Sequence, residues 1–245
     1  MQPEEYSRMF SVEDTFWWYR GLRALLKETL IDLSKKKSEH RLQVIDAGCG
    51  TGANISECRM LIEGLGIDLA WEALVLARKR GLQHLVRGRI QELPVRDASC
   101  DVLMSIDVLY HRWIENDLQV LREYFRVLVP GGWLIIHVAA HEWLRGSHDE
   151  VVMTRHRYSR SELVEKVSAA GFRVRRATYR NTLLLPLMLL RRLITANTPV
   201  PVSDLRVPPR WLNETLYWVL WVENALLRVA DFPTGGSLFV LAQRP

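Results

Sequence analysis

A short apolar run, Leu42-Gln43-Val44-Ile45, leads straight into Asp46-Ala47-Gly48-Cys49-Gly50-Thr51-Gly52. This junction constrains the fold more than any other segment. Glycines at alternate positions let a backbone turn sharply and approach a ligand closely. Between a strand and a helix, such a loop belongs at the carboxyl edge of a parallel sheet, where doubly wound folds bind their ligands. Further strands are expected at 65–68, 84–86, 101–107, 133–139, 172–179 and 237–242. Helices are expected at 16–33, from the glycine loop to about Ile62, at 71–80, at 118–128, and from a capping box at Ser159-Arg160-Ser161-Glu162 to Gly171. Val129-Pro130-Gly131-Gly132 reads as a turn. Strands alternating with helices predict an α/β protein: a Rossmann-like, doubly wound, seven-stranded and mostly parallel sheet with helices on both faces.

The loop alone leaves two ligands open. Ala53 can stand for the last small residue of a dinucleotide fingerprint, and Asp68, near the end of the second strand, has the spacing of a ribose-binding acid. Both a nicotinamide dinucleotide and S-adenosylmethionine use such an acid. Asp46 favours the second, because a carboxylate there suits a cationic amino-acid moiety and repels a pyrophosphate.

The segment Val44-Ile45-Asp46-Ala47-Gly48-Cys49-Gly50-Thr51-Gly52 resembles the first motif of the class I S-adenosylmethionine-dependent methyltransferases. Glu92-Leu93-Pro94-Val95 before Cys100-Asp101-Val102-Leu103, then Ser105-Ile106-Asp107-Val108-Leu109-Tyr110-His111, then Arg126-Val127-Leu128-Val129-Pro130-Gly131-Gly132 resemble later segments of the same family, type 11-like. Phe16-Trp17-Trp18-Tyr19-Arg20-Gly21, with Arg157-Tyr158-Ser159, resembles a bacterial branch of it carrying an N-terminal WWYRG motif. The resemblance implies S-adenosyl-L-methionine as cofactor. Asp46 and Gly48 would line its methionine end, with Gly50 and Gly52 shaping the loop; Asp68 would take the ribose hydroxyls and Leu69 would pack on the adenine. Ile106 would offer its carbonyl to the methionine amino group. Arg89-Ile90 stands where the family often has an acid for the adenine amino group, and arginine cannot accept a hydrogen bond. That end therefore falls to Ile90 and Gln91. Arg20 and Arg23 are candidates for the cofactor carboxylate.

A sulfonium methyl is already electrophilic, so alignment carries much of the rate. A base within hydrogen-bond reach of the acceptor can add to it. The candidates follow the fourth and fifth strands: His111 first, then Asp107, Tyr110 and His141. His137 and His141, four apart on a strand, stand about 13 Å apart at ~3.3 Å per residue and cannot share one ion, so no metal site is expected.

Two features set the chain apart. Residues 181–234 intervene where a short hairpin would join strands six and seven; Leu183–Leu190 is nearly all apolar, Pro199, Pro201, Pro208 and Pro209 mark an extended link, and a helix carrying Trp211, Trp218 and Trp221 follows. Residues 1–40 are expected to form a helical cap, 41–180 with 235–245 the Rossmann-like domain, and 181–234 an apolar lid, with Trp17 and Trp18 converging on the same edge. Second, between Met153 and Arg192 lie ten Lys or Arg and two acids, although the whole chain is only +5. The expected activity is in-line methyl transfer to a small, hydrophobic or lipid-linked acceptor. A nucleic-acid-modifying methyltransferase and a membrane-surface protein with a secondary cofactor pocket are the alternatives. Ile106-Asp107-Val108-Leu109 lacks the N/D-P-P-aromatic motif of base amino-methyltransferases, which weighs against nucleic acid. With no signal peptide and no apolar run of about 18 residues, the expectation is a cytoplasmic protein with peripheral membrane contact.

Overall fold

The computed structural model describes residues 3–37, 41–195 and 207–245. Seven strands form one sheet in the order β3-β2-β1-β4-β5-β7-β6. They are β1 (Leu42–Ala47), β2 (Ile62–Asp68), β3 (Leu85–Arg87), β4 (Cys100–Ile106), β5 (Leu128–Ala139), β6 (Arg173–Arg180) and β7 (Ser237–Gln243). All neighbours pair in parallel except β7, which runs antiparallel to both β5 and β6. The strands are apolar on both faces because both faces are covered. Ile45, Leu103, Ile136 and Val240 enter one core, and their chain neighbours Val44, Met104, Ile135 and Phe239 enter the other.

The helices are α1 (Pro3–Val12), α2 (Trp17–Ser34), α3 (Ala53–Cys58), α4 (Trp71–Lys79), α5 (Asp117–Val127), α6 (Ser147–Val151), α7 (Arg160–Ala169), α8 (Leu185–Thr195) and α9 (Arg210–Leu227). The expected cap at α7 is present: the Ser159 hydroxyl accepts from the Glu162 N–H, and Gly171 ends the helix at φ 101°. Three expectations need correction. The helix after the glycine loop stops at Cys58, and β2 begins at Ile62 rather than residue 65. Residues 129–132 do not turn out of the sheet. Gly131 N–H bonds the Arg244 carbonyl, Arg244 N–H bonds that of Gly132, and the segment is a bulged start to β5. Helices α1 and α6 and a short 3-10 turn at Glu142–Leu144 had no clear periodic signal in the sequence. Pro199 and Pro201 lie outside the described residues.

The insertion holds α8 and α9, and α9 packs on α2. The helices approach closely at Gly21, where an added Cβ would sit 2.5 Å from Leu220 Cδ1. Helix α9 is amphipathic the wrong way round: Asn213, Glu223 and Asn224 point inward. Asn213 accepts from the Trp17 N–H, Asn224 donates to the Gly21 carbonyl, and Glu223 accepts from the N–H groups of Asn181 and Leu183. Arg180, fully buried at the end of β6, donates to Asn224 and has Glu223 as its strongest countercharge. Glu223→Ala is therefore expected to cost about 3–5 kcal/mol in a denaturant melt, since it leaves a buried guanidinium uncompensated. A loss below about 1 kcal/mol would mean that water replaces the carboxylate.

Candidate active site

The carboxyl ends of β1, β2, β4, β5 and β6 face one edge, and the backbone is strained there. Asp107 after β4, His141 after β5 and Asn181 after β6 have φ of 59°, 58° and 56°, a region costly for non-glycine residues. Gly48, Gly50 and Gly52 also take positive φ. A Cβ on Gly48 would sit 2.4 Å from Val108, so the loop lies against the β4 connection with no room for a side chain. Gly52 instead faces Leu82 and Ala77, and its role is to start α3.

Under this loop, Asp46 is fully buried and neither carboxylate oxygen makes a well-formed hydrogen bond, with the Asn54 side chain as the polar neighbour beside it. Burial pushes its carboxyl up to about 7, the neighbouring Asn54 amide lowers it, and Asp68 raises it further. Asp68 accepts from Gly50 N–H at 2.8 Å and from Ala70 N–H at 2.9 Å, which fixes it against the loop.

A cavity of about 1290 Å³ opens above these residues. It exceeds the roughly 300–1,000 Å³ of a single small-ligand site. Gly48, Gly50, Asp68, Leu69, Ile90, Gln91 and Ile106 line one part of it, as expected from the sequence. Asp46 does not touch the cavity and meets it only through Asn54, which does. Arg23 lines the cavity and donates to the Glu13 carbonyl at 2.7 Å. Arg20 does not: it makes a two-pronged ion pair with Glu214 and lies over the Tyr217 ring, a clamp between α2 and α9. Its expected contact with the cofactor carboxylate is not supported.

Among the candidate bases, Asp107, Tyr110 and His111 line the cavity. Asp107 Oδ1 is 3.0 Å from His137 Nδ1. Burial drives the Tyr110 phenol well above its ordinary range, so it stays protonated. His111 stacks on Trp113, its Nδ1 has no partner, and burial lowers its pKa to about 4. His141 is not in the cavity. Its ring stacks between Trp143 and Tyr179, and its Nε2 is 3.2 Å from Thr234 Oγ1, so it braces the β5 end. Among the described residues, no group of three or more His, Cys, Asp or Glu could hold a metal ion.

The lid expectation also changes. Trp17 and Trp18 line the cavity, but Trp211, Trp218 and Trp221 point away from it. The insertion lines it instead with Leu184, Leu187, Met188, Leu212 and Leu216. Sequence reasoning missed α1, whose Tyr6 and Met9 line the cavity. It also missed Glu13 beyond α1, which bonds the Thr51 hydroxyl and Arg80 and so ties the N-terminal segment to the glycine loop. Asp149, paired with Arg157 at 2.8 Å, was missed as well, because nothing marks its short helix in the sequence. Four cations of the basic segment are paired internally: Arg155 and Lys166 with Asp117, Arg157 with Asp149 and Arg176 with Asp231.

A glycine loop over an acid at the end of the second strand, in a seven-stranded sheet with one reversed strand, is the frame of a Rossmann-like ligand-binding α/β fold. Residues 45–136 match the methyltransferase domain family model. A probable S-adenosylmethionine-dependent methyltransferase of Mycolicibacterium smegmatis is 33% identical over 138 residues, 54% of this chain and 52% of that protein. A probable tRNA methyltransferase 9B of Mus musculus is 37% identical over 100 residues, 40% of this chain and 22% of that protein. The chain thus spans about half the length of the first relative and less of the second. A solved complex between the Haloferax volcanii Trm112 methyltransferase activator and a methyltransferase contains a chain of the same fold. It has a TM-score of 0.65 at 22% identity, covering 99% of this chain and 95% of that one. The matched residues 45–136 and the shared fold set this chain beside the class I S-adenosylmethionine-dependent methyltransferases.

Proposed function

We propose that this protein transfers the methyl group of S-adenosyl-L-methionine to a hydrophobic or lipid-linked acceptor. One observation carries the reading: the cavity runs without a break from the glycine loop to a wall of leucine, methionine and tryptophan on α2, α8 and α9. The near end fits the cofactor. Asp68 is placed for the ribose hydroxyls, Leu69 and Ile90 offer apolar surface to the adenine, and Arg23 supplies charge for the carboxylate. The Asp46 carboxylate beneath the loop, behind Asn54 of the lining, favours a cationic group above it. When bound, the cofactor would supply an electrophilic sulfonium methyl for transfer to the acceptor. The protein's own work is to align that acceptor, exclude water and take up its proton. Asp107 is the group placed to take the proton, with His111 as a hydrogen-bond acceptor for orienting the substrate.

An RNA acceptor is the second reading. The tRNA methyltransferase relatives favour it. The internal pairing of the basic segment leaves it less charge for phosphates. Incubation of the protein with methyl-labelled cofactor and a bacterial extract separates the two. Label in the organic-extractable pool is expected; label confined to RNA or to polar small molecules overturns the reading.

A further inference from the structure

The outward face of α9 has the composition of a protein interior. Trp211 is 71% exposed, Trp218 56% and Trp221 48%, with Val222, Leu226 and, just past the helix, Val229 beside them. After Arg210, every exposed residue of the helix is apolar except Thr215. Glu214 borders this face, and its carboxylate is held by Arg20. The polar residues of α9 are turned inward and used there, so the apolar exterior is not a by-product of a helix that is apolar all round. An exposed surface of this kind marks an interaction site.

We infer that this face rests on an anionic lipid bilayer, with α9 lying along the interface. Three observations favour lipid over a second protein. Tryptophan is the side chain that suits the headgroup boundary, apolar in body with one N–H to keep wet. An exposed arginine, Arg210, stands at the start of the helix, placed for phosphates, while Arg228 just past it is paired with Glu28 at 2.7 Å. The same insertion also supplies the rim of the cavity: Leu187 and Leu190 of α8 are 50% and 55% exposed, and both line the cavity. A bilayer held by the same insertion keeps an apolar acceptor close to the rim, whereas a protein seated over the rim would close it. No helix among the described residues is long and apolar enough to cross a membrane, so the contact is one of lying on the surface. The inference rests on the apolar-acceptor reading above.

Sedimentation of the full chain with vesicles of phosphatidylcholine, alone and mixed with phosphatidylglycerol, tests it. Binding is expected to the mixed vesicles and to fall with salt. In Trp218→Glu/Trp221→Glu, binding should weaken at least about tenfold, with the thermal melt unchanged because both side chains are exposed. Quenching of tryptophan fluorescence in the unaltered chain by brominated lipid gives a readout that needs no variant. No binding and no quenching overturns the inference. So does a dimer, by light scattering, that the double variant dissolves. Methylation of a detergent-solubilised apolar acceptor separates the two readings. If it proceeds while vesicles do not bind, docking fails and the acceptor reading stands. If vesicles bind while label never enters the organic pool, the acceptor reading fails and docking stands.

Discussion

Asp46→Asn is expected to make the ligand-free protein more stable and the cofactor bind more weakly. The carboxyl is fully buried with only the Asn54 side chain partly offsetting that burial, which raises its pKa from its ordinary range near 4 to about 7. A carboxyl held that far up costs about 4 kcal/mol when it ionises in the folded state. The folded protein holds the proton more tightly than the unfolded chain. Stability from this group is thus complete below about pH 4, falls as pH rises to about 7, and is flat beyond. Asparagine never ionises, so the variant should match the parent at pH 4 and exceed it by up to about 4 kcal/mol above pH 7. Cofactor affinity should also fall, because the carboxylate acts on the cavity through Asn54 in its lining, and should lose its rise with pH through 7. Denaturant melts at several pH values and calorimetry with the cofactor measure both. Equal melts at pH 8, or unchanged affinity, would show that Asp46 already has its partners.

Much of this site was legible because one strand-loop-helix junction carries it. Glycine spacing, the acid before it and the acid ending the next strand are local signals, and the structure brings Gly48, Gly50 and Asp68 together at the expected edge. Tertiary pairing overrode the rest. Arg20 looked like a free cation beside the site until Glu214, 194 residues away, claimed it. The α9 tryptophans looked like a lid because apolar side chains usually face inward. Sequence gives the period of a helix but not which stripe is buried, and here Asn213, Glu223 and Asn224 took the inner side by satisfying backbone groups of other segments. Part of the charge surplus at 153–192 is cancelled in the same way, by Asp117, Asp149 and Asp231, which lie outside the run and pair with four of its cations.

Asp107→Asn is expected to lower kcat about 10²- to 10⁴-fold on an oxygen or nitrogen acceptor, the usual worth of a positioned base, with cofactor affinity changed less than about threefold. The argument is positional. Asp107 is the cavity carboxylate at the end of β4, and its backbone is held in a costly conformation by the bond from its N–H to the His137 carbonyl. One oxygen is fixed by His137 Nδ1, whose ring is itself fully buried and set at 5.8 Å against the edge of Trp18. Strain kept in place by such a frame marks a side chain held for use. Asparagine preserves the shape and removes the proton acceptor, so a loss in kcat without a loss in binding isolates the chemical role. His111→Ala provides the contrast. Its pKa of about 4 leaves the ring neutral throughout the working range, so a neutral-pH limb in the rate profile cannot be its own. Its removal should raise KM for the acceptor more than it lowers kcat. If Asp107→Asn retains full turnover, alignment alone carries the reaction, as it can for an acceptor that needs no deprotonation.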